Sequence, residues 1–210
     1  MLVSHENPMD EVVVDNFQQW SQLVSKWFVP LEVTSEHGES FHGRVRTRSI
    51  GDVIFTEITA SEHQVERTPA LISQDDKAYF KVSLQLAGTG MLMQDKRQAV
   101  LTPGDIAVYD TNKPYTLVFD GDFRSLVVMF PHSLLDLPAD AISQLTAKRI
   151  PGDDGMAKLV GPFLAHLADN MDTLSGHSAT RLMHNTVDLV ATVLHSQIEL
   201  EVMDRIHSHR

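Results

Sequence analysis

Between Phe41 and Phe130 the chain breaks into short runs in which apolar and polar residues alternate, with Gly, Pro, Asn and Asp clusters between them. Alternation with period two is the pattern of a strand whose faces meet different surroundings. The runs are Phe41–Arg48, Val53–Thr59, His63–Ile72 (interrupted by Pro69), Tyr79–Leu86, Met91–Gln94, Ala99–Leu101, Ile106–Tyr109, Tyr115–Phe119 and Phe123–Phe130. So many short strands at a spacing of about 8–12 residues, joined by tight turns, predict a sandwich or barrel. Tyr79–Leu86 is the cleanest: Phe80, Val82, Leu84 and Leu86 share one face, and Tyr79, Lys81, Ser83 and Gln85 the other.

The period changes on either side of this region. Phe17, Trp20, Leu23, Val24, Trp27 and Phe28 recur at helical spacing and predict one amphipathic helix ending near Pro30. Its aromatic stripe suits core packing first and a ligand wall second. After Pro131 a helix is expected over Gly155–Leu174, with Pro162 kinking it or delaying its start, and another from an N-cap at Ser178 to about Glu201. The expected class is α+β: a β-barrel preceded by one helix and followed by a helical hairpin. The expected boundaries are a flexible arm over 1–15, a barrel with its leading helix over 16–150, and the hairpin over 151–204.

Composition narrows the function. With 28 acidic residues against 17 Lys and Arg, the net charge of −11 argues against a nucleic-acid-binding surface in this stretch. Zero Cys excludes disulfides, thiolate zinc and Fe–S centres. No secretory signal or membrane-length apolar run is read in the sequence, so a soluble, cytoplasmic chain without a membrane partner is expected.

A small barrel followed by helices raises the question of a cupin, whose His-x-His…Glu…His set holds a metal. Leu101–Tyr115 looks like the second cupin motif, but Pro114-Tyr115 stands where metal-binding cupins commonly have Pro-His, and Tyr79–Gly90 holds no His. No metal, no cofactor and no catalytic residue are therefore expected. Arg44, Arg46 and Arg48 share one strand face, either as an anion ladder or as a solvated face guarding a sheet edge. The groups best able to orient a small ligand are Arg44, Arg46, His63, Arg67, Tyr79, Lys81, Gln85 and Tyr115.

Several segments in order carry a resemblance: Phe41-His42-Gly43-Arg44, Val65-Glu66-Arg67-Thr68, Tyr79–Gly88, Leu101-Thr102-Pro103-Gly104-Asp105, the Asp110–Leu117 turn and Phe123–Pro131. Together, over about residues 15–205, they resemble the N-terminal effector-binding and dimerisation region of bacterial AraC/XylS-type transcription regulators. The resemblance implies a cupin-like barrel (a double-stranded β-helix) that binds a small-molecule effector, a hairpin that forms a homodimer, and DNA contact only through a C-terminal helix-turn-helix domain. On that reading residues 205–210 look like the opening of that absent domain, and the chain is a sensor rather than an enzyme. The alternative is a cupin-type isomerase or dioxygenase with degenerate metal ligands. The second hairpin helix is apolar over more than half its circumference, which places the expected dimer seam on Leu182, Met183, Thr186, Val187, Val190 and Leu194.

Overall fold

The computed structural model describes residues 9–208. In chain order the elements are β1 (Asp10–Val14), α1 (Phe17–Trp27), β2 (Glu32–Thr34), β3 (Gly43–Ile50), β4 (Val53–Ala60), β5 (His63–Arg67), α2 (Pro69–Ile72) and β6 (Tyr79–Ala87). Then follow β7 (Gly90–Gln94), β8 (Arg97–Leu101), β9 (Ile106–Asp110), β10 (Tyr115–Phe119), β11 (Phe123–Pro131), α3 (Ala139–Ser143), α4 (Gly155–Asp169) and α5 (Gly176–Ser208). The strands form a six-stranded sheet, β1-β3-β4-β11-β6-β9, and a five-stranded sheet, β2-β5-β10-β7-β8. All their pairings are antiparallel. The expected class holds, with the barrel drawn as two facing sheets rather than one hydrogen-bonded ring.

Local chemistry explains the ends of these elements. Asn16 caps α1 by accepting from the Gln19 N–H, and the expected helix ends at Trp27. The run expected to continue through Pro69 stops at Arg67, because Thr68 caps a short helix with Pro69 in its first turn. Asp154 accepts from the Gly155 N–H at the start of α4, and the helix accommodates Pro162 on its exposed side. Of the arm expected over 1–15, residues 1–8 lie outside the described residues, whereas Asp10–Val14 pair with β3 as an edge strand. Val14 is buried there, which fixes the strand. The last helix starts at Gly176 and runs on to Ser208, so Arg205 lies in its final turns.

Two apolar cores result. One lies between the sheets and includes Trp20, Phe41, Val45, Leu92, Tyr109, Tyr115 and Phe123. The other lies on the outer face of the six-stranded sheet, where Phe55, Phe80, Val82, Leu84, Val108, Leu126, Val128 and Phe130 pack with residues of α3, α4 and α5. That outer face spans four strands, more than α4 alone covers, and the second core takes the apolar stripe of α5 with it. Met183, Thr186, Val187, Val190 and Leu194 are buried within the chain, and Leu182 is half-buried against the same core. The dimer seam expected on these residues is therefore corrected: their partners are in their own chain. The apolar side chains that α5 leaves exposed are Leu200, Val202, Met203 and Ile206.

Candidate functional site

The inner faces of the two sheets do not fill the space between them. The cavity is lined by β4, β6, β9 and β11 on one side, by β5, β7, β8 and β10 on the other, and by Trp20, Val24 and Phe28 of the leading helix segment. It encloses about 620 Å³ between atoms, mouth included, of which only about 50 Å³ admits the centre of a water-sized molecule. The side chains thus close over a small space, and any larger occupant has to displace the walls.

The register of β6 supplies the polar wall. Lys81 lies opposite Tyr109 and Met129, Ser83 opposite Ala107 and Val127, and Gln85 opposite Ser125. Phe80, Val82 and Leu84, between them, point to the outer core. The remaining walls are mainly apolar or aromatic: Leu31, Ile58, Val65, Leu117, Phe119 and Phe123. Phe119 and Phe123 stack with centroids 3.5 Å apart. Gly90 permits this, since a Cβ there would come within 2.9 Å of the Phe119 ring. Gly43 does the same for Trp20, whose indole occupies the space a Cβ would need.

Hydrogen bonds fix the protonation of the wall. Trp20 Nε1 donates to His63 Nε2 at 3.2 Å, so Nδ1 carries the proton and donates to the Ser61 carbonyl at 2.8 Å. Burial pushes the His63 pKa down to about 4, against a smaller opposing effect of the Ser61 bond, and the ring is a neutral spacer. Lys81 is 3% exposed, and its ammonium donates to Tyr115 Oη at 3.1 Å. Its Nζ also lies 4.5 Å from the centre of the Phe28 ring and within 6 Å of the Tyr109 and Tyr115 rings, at 5.8 and 5.7 Å. Burial, and then the nearby Arg67 charge, pull the Lys81 pKa down to about 7. Burial raises Tyr109 to about 12, against a weaker bond from Ser83, and holds Tyr115 well above its ordinary range.

Of the eight ligand-orienting residues expected from sequence, His63, Lys81, Gln85 and Tyr115 line this cavity together. Arg67 is fully buried nearby but occupied: it donates to the Thr111 and Pro30 carbonyls and to Asp75. Tyr79 packs half-buried at the start of β6, outside the cavity wall.

Arg44 and Arg46 are corrected, because Val45 takes the inward position on β3 and turns both arginines away. Arg44 pairs with Glu11 at 2.6 Å on the surface. Arg46 pairs with Glu57 and donates to the Ala168 carbonyl at the end of α4 at 2.7 Å. Arg124 bridges the same Glu57 to Asp169. Arg46 and Arg124, joined through Glu57, thus staple the end of α4 to the sheet, while Arg44 stays on the surface with Glu11.

Sequence reasoning did not select Ser83, Tyr109, Ser125, Phe119 and Phe123 for the site. Ser83 shares the alternation that flagged Lys81 and Gln85, and Tyr109 lies within the Leu101–Tyr115 motif, so part of the signal was present. Trp20 and Phe28 line the cavity as well as packing in the core between the sheets. Among the described residues no three His, Asp or Glu side chains gather into a metal-binding cluster. No helix among them is long and apolar enough to cross a membrane.

Residues 20–195 match the model of the AraC-binding-like domain family. An uncharacterized protein from the nit 5′ region of Bacillus sp. (strain OxB-1) is 33% identical over 181 residues, covering 86% of this chain and 70% of that protein. The transcriptional activator NphR of Rhodococcus sp is 30% identical over 179 residues, covering 84% of this chain and 53% of the activator, so the chain spans about half the length of that relative. The crystal structure of the AraC-like transcriptional activator CuxR superposes with a TM-score of 0.76 at 17% identity, covering 88% of this chain and 70% of that one, and shows a shared fold.

Proposed function

The chain belongs to the AraC-binding-like domain family, and from that premise we propose that it is the effector-sensing domain of an AraC-type transcription regulator. The observation that carries this reading is the mostly apolar cavity between the sheets, with a few convergent polar groups on one strand. Occupancy has a short route outward. Lys81, Ser83 and Gln85 alternate along β6 with Phe80, Val82 and Leu84, which form one core with α4 and α5. A molecule that spreads the walls displaces β6, and the helices on its other face feel the change. It acts as an effector only to the extent that it binds one arrangement more tightly than the other.

The alternative, a cupin-type isomerase or dioxygenase, calls for convergent metal ligands. The cavity wall offers one imidazole, His63, both of whose nitrogens are engaged, and no carboxylate. A binding module fits that wall better than an enzyme. We assign DNA contact to a part of the regulator other than this acidic domain. We place a homodimer contact on the exposed apolar end of α5, around Leu200, Met203 and Ile206, with the regulator acting in the cytoplasm.

A thermal-shift screen of small metabolites tests the sensor reading, because a molecule that binds only the folded state raises the melting temperature. Hits that lose their effect in Ser83→Leu, which fills the cavity, support it. Hits that persist unchanged in that variant place binding elsewhere. Sedimentation tests the dimer: Leu200→Asp with Met203→Asp is expected to give a folded monomer from a dimeric parent.

A further inference from the structure

A buried ammonium normally has a carboxylate beside it, because an uncompensated charge away from water is costly. Lys81 has none: its ion pair is absent from the described residues, and no Asp or Glu lines the cavity. Arg67, the charge that bears on Lys81, already has its own carboxylate, Asp75. An ammonium carries three N–H donors, and Lys81 uses one, on Tyr115 Oη. The rings of Phe28, Tyr109 and Tyr115 lie within 6 Å of the amine and favour its cationic form. Ser83, Gln85 and Ser125 continue the polar strip, opposite walls built of Val65, Leu117 and Phe119.

We propose that the effector is a small, flat, largely apolar molecule, such as an aromatic ring, carrying a single acidic oxygen group (carboxylate or phenolate) that binds the free N–H donors of Lys81. One cation without a counter-ion calls for one negative charge. A polar strip on one sheet and apolar walls opposite call for a ligand with one polar edge. The proposal rests on the cavity being the effector site and adds the chemistry of its occupant. The lowered basicity of Lys81 agrees with a site whose counter-ion arrives with the ligand.

Calorimetry on the intact chain with four probes of similar size tests this: benzoate, pentafluorophenolate, neutral benzamide and cationic benzylamine. Binding of either anion, weakened on the order of a hundredfold in Lys81→Met and less in Tyr115→Phe, is the expected result. The anion that binds more tightly identifies which acidic oxygen is preferred. Benzamide binding as well as the anions, with Lys81→Met indifferent, overturns the anion but leaves the cavity reading standing if Ser83→Leu still blocks entry. Anion binding that survives both Lys81→Met and Ser83→Leu overturns both. Failure of both anions to bind overturns the proposal, and the metabolite screen then decides the cavity reading separately. Benzaldehyde serves as a fifth probe: tighter binding than benzoate, with the Lys81 amine condensing on its carbonyl and losing water to an imine whose C=N bond added borohydride reduces to a stable secondary amine, overturns the proposal. If Lys81→Met fails to fold, Tyr115→Phe and the ranking of the four probes still decide.

Discussion

The two faces of the six-stranded sheet are built from the same strands and do opposite work. On the outer face, Phe80, Val82, Leu84, Leu126, Val128 and Phe130 present an apolar surface that α4 and α5 cover. On the inner face, the alternate positions of β6 and β11 hold Lys81, Ser83, Gln85 and Ser125 against a cavity. The outer face stabilises the domain through dispersion and exclusion of water. The inner face gives up some of that stability to keep a cation and several hydroxyl and amide groups away from water with few partners. Such an exchange is characteristic of a binding site carried by a rigid scaffold. Substitutions on the two faces should therefore differ in sign as well as in size.

The largest effect belongs to the outer face. Phe130 is fully buried there, and Phe130→Ala is expected to cost about 4 kcal/mol and lower the melting temperature by roughly ten degrees. A loss below about 1 kcal/mol would show that the helices do not pack on the sheet as described. Next comes Glu57, buried between Arg46 and Arg124. Glu57→Gln leaves Arg46 charged and buried, so a loss of about 3 kcal/mol in denaturant unfolding is expected. Because the staple also holds the Ala168 carbonyl, proteolysis should first appear near the end of α4 in this variant.

On the inner face the sign reverses. Lys81→Met removes a buried charge without a carboxylate partner and is expected to stabilise the chain by about 1–3 kcal/mol near neutral pH. The gain should depend on pH. The Lys81 pKa falls from an ordinary 10.5 to about 7 on folding, so between those values the unfolded chain binds more protons and wild-type stability rises with pH. Below about 7 the penalty is fully present, and approaching 10.5 it disappears, so the advantage of Lys81→Met should shrink across that window. Urea midpoints at several pH values measure this, and an advantage independent of pH would show that Lys81 does not titrate there. The charges and titratable groups near the amine are Arg67 and His63 on β5, Tyr109 on β9 and Tyr115 on β10. His63 is neutral down to about 4, and both phenols lie well above neutrality, which leaves Lys81 as the titrating group in this window.

The same comparison shows how far the sequence could be read. The alternation of β6 was legible, and so was the grouping of Lys81, Gln85, His63 and Tyr115, which line one cavity. What period two does not carry is the sign of a face. Usually the apolar face is the buried one, but here both faces of the sheet are covered, and the polar face of β6 is the one that looks into the cavity. The arginine row on β3 has the same periodicity, and Val45 rather than Arg46 took the inward position because Trp20 and Phe41 pack there. Helical periodicity failed in a related way on α5. Its wide apolar stripe suggested a second copy of the helix, yet the outer core absorbs most of that stripe within one chain. In both cases the missing information was which surface lies opposite, and that is set by residues far away in sequence.

The smallest expected effect makes the sharpest distinction, because it separates two arginines that look alike in the sequence. Arg44 and Arg46 lie two residues apart on β3, and both were candidates for an anion site. Arg46 is buried with Glu57, whereas Arg44 is about half exposed, with 47% of its side chain accessible, and pairs only with Glu11 on the edge strand. An exposed pair of this kind gains little Coulomb energy in high dielectric and loses side-chain entropy, so Arg44→Ala should change stability by about 0.5 kcal/mol or less. Added salt, which screens exposed charges, should erase even that difference. Since Arg44 faces away from the cavity, the affinity for any anion that responds to Lys81→Met should be unchanged in Arg44→Ala. A several-fold loss of affinity there would mean that the anion sits on the outer side of β3, and that the polar strip of β6 is not where the ligand is held.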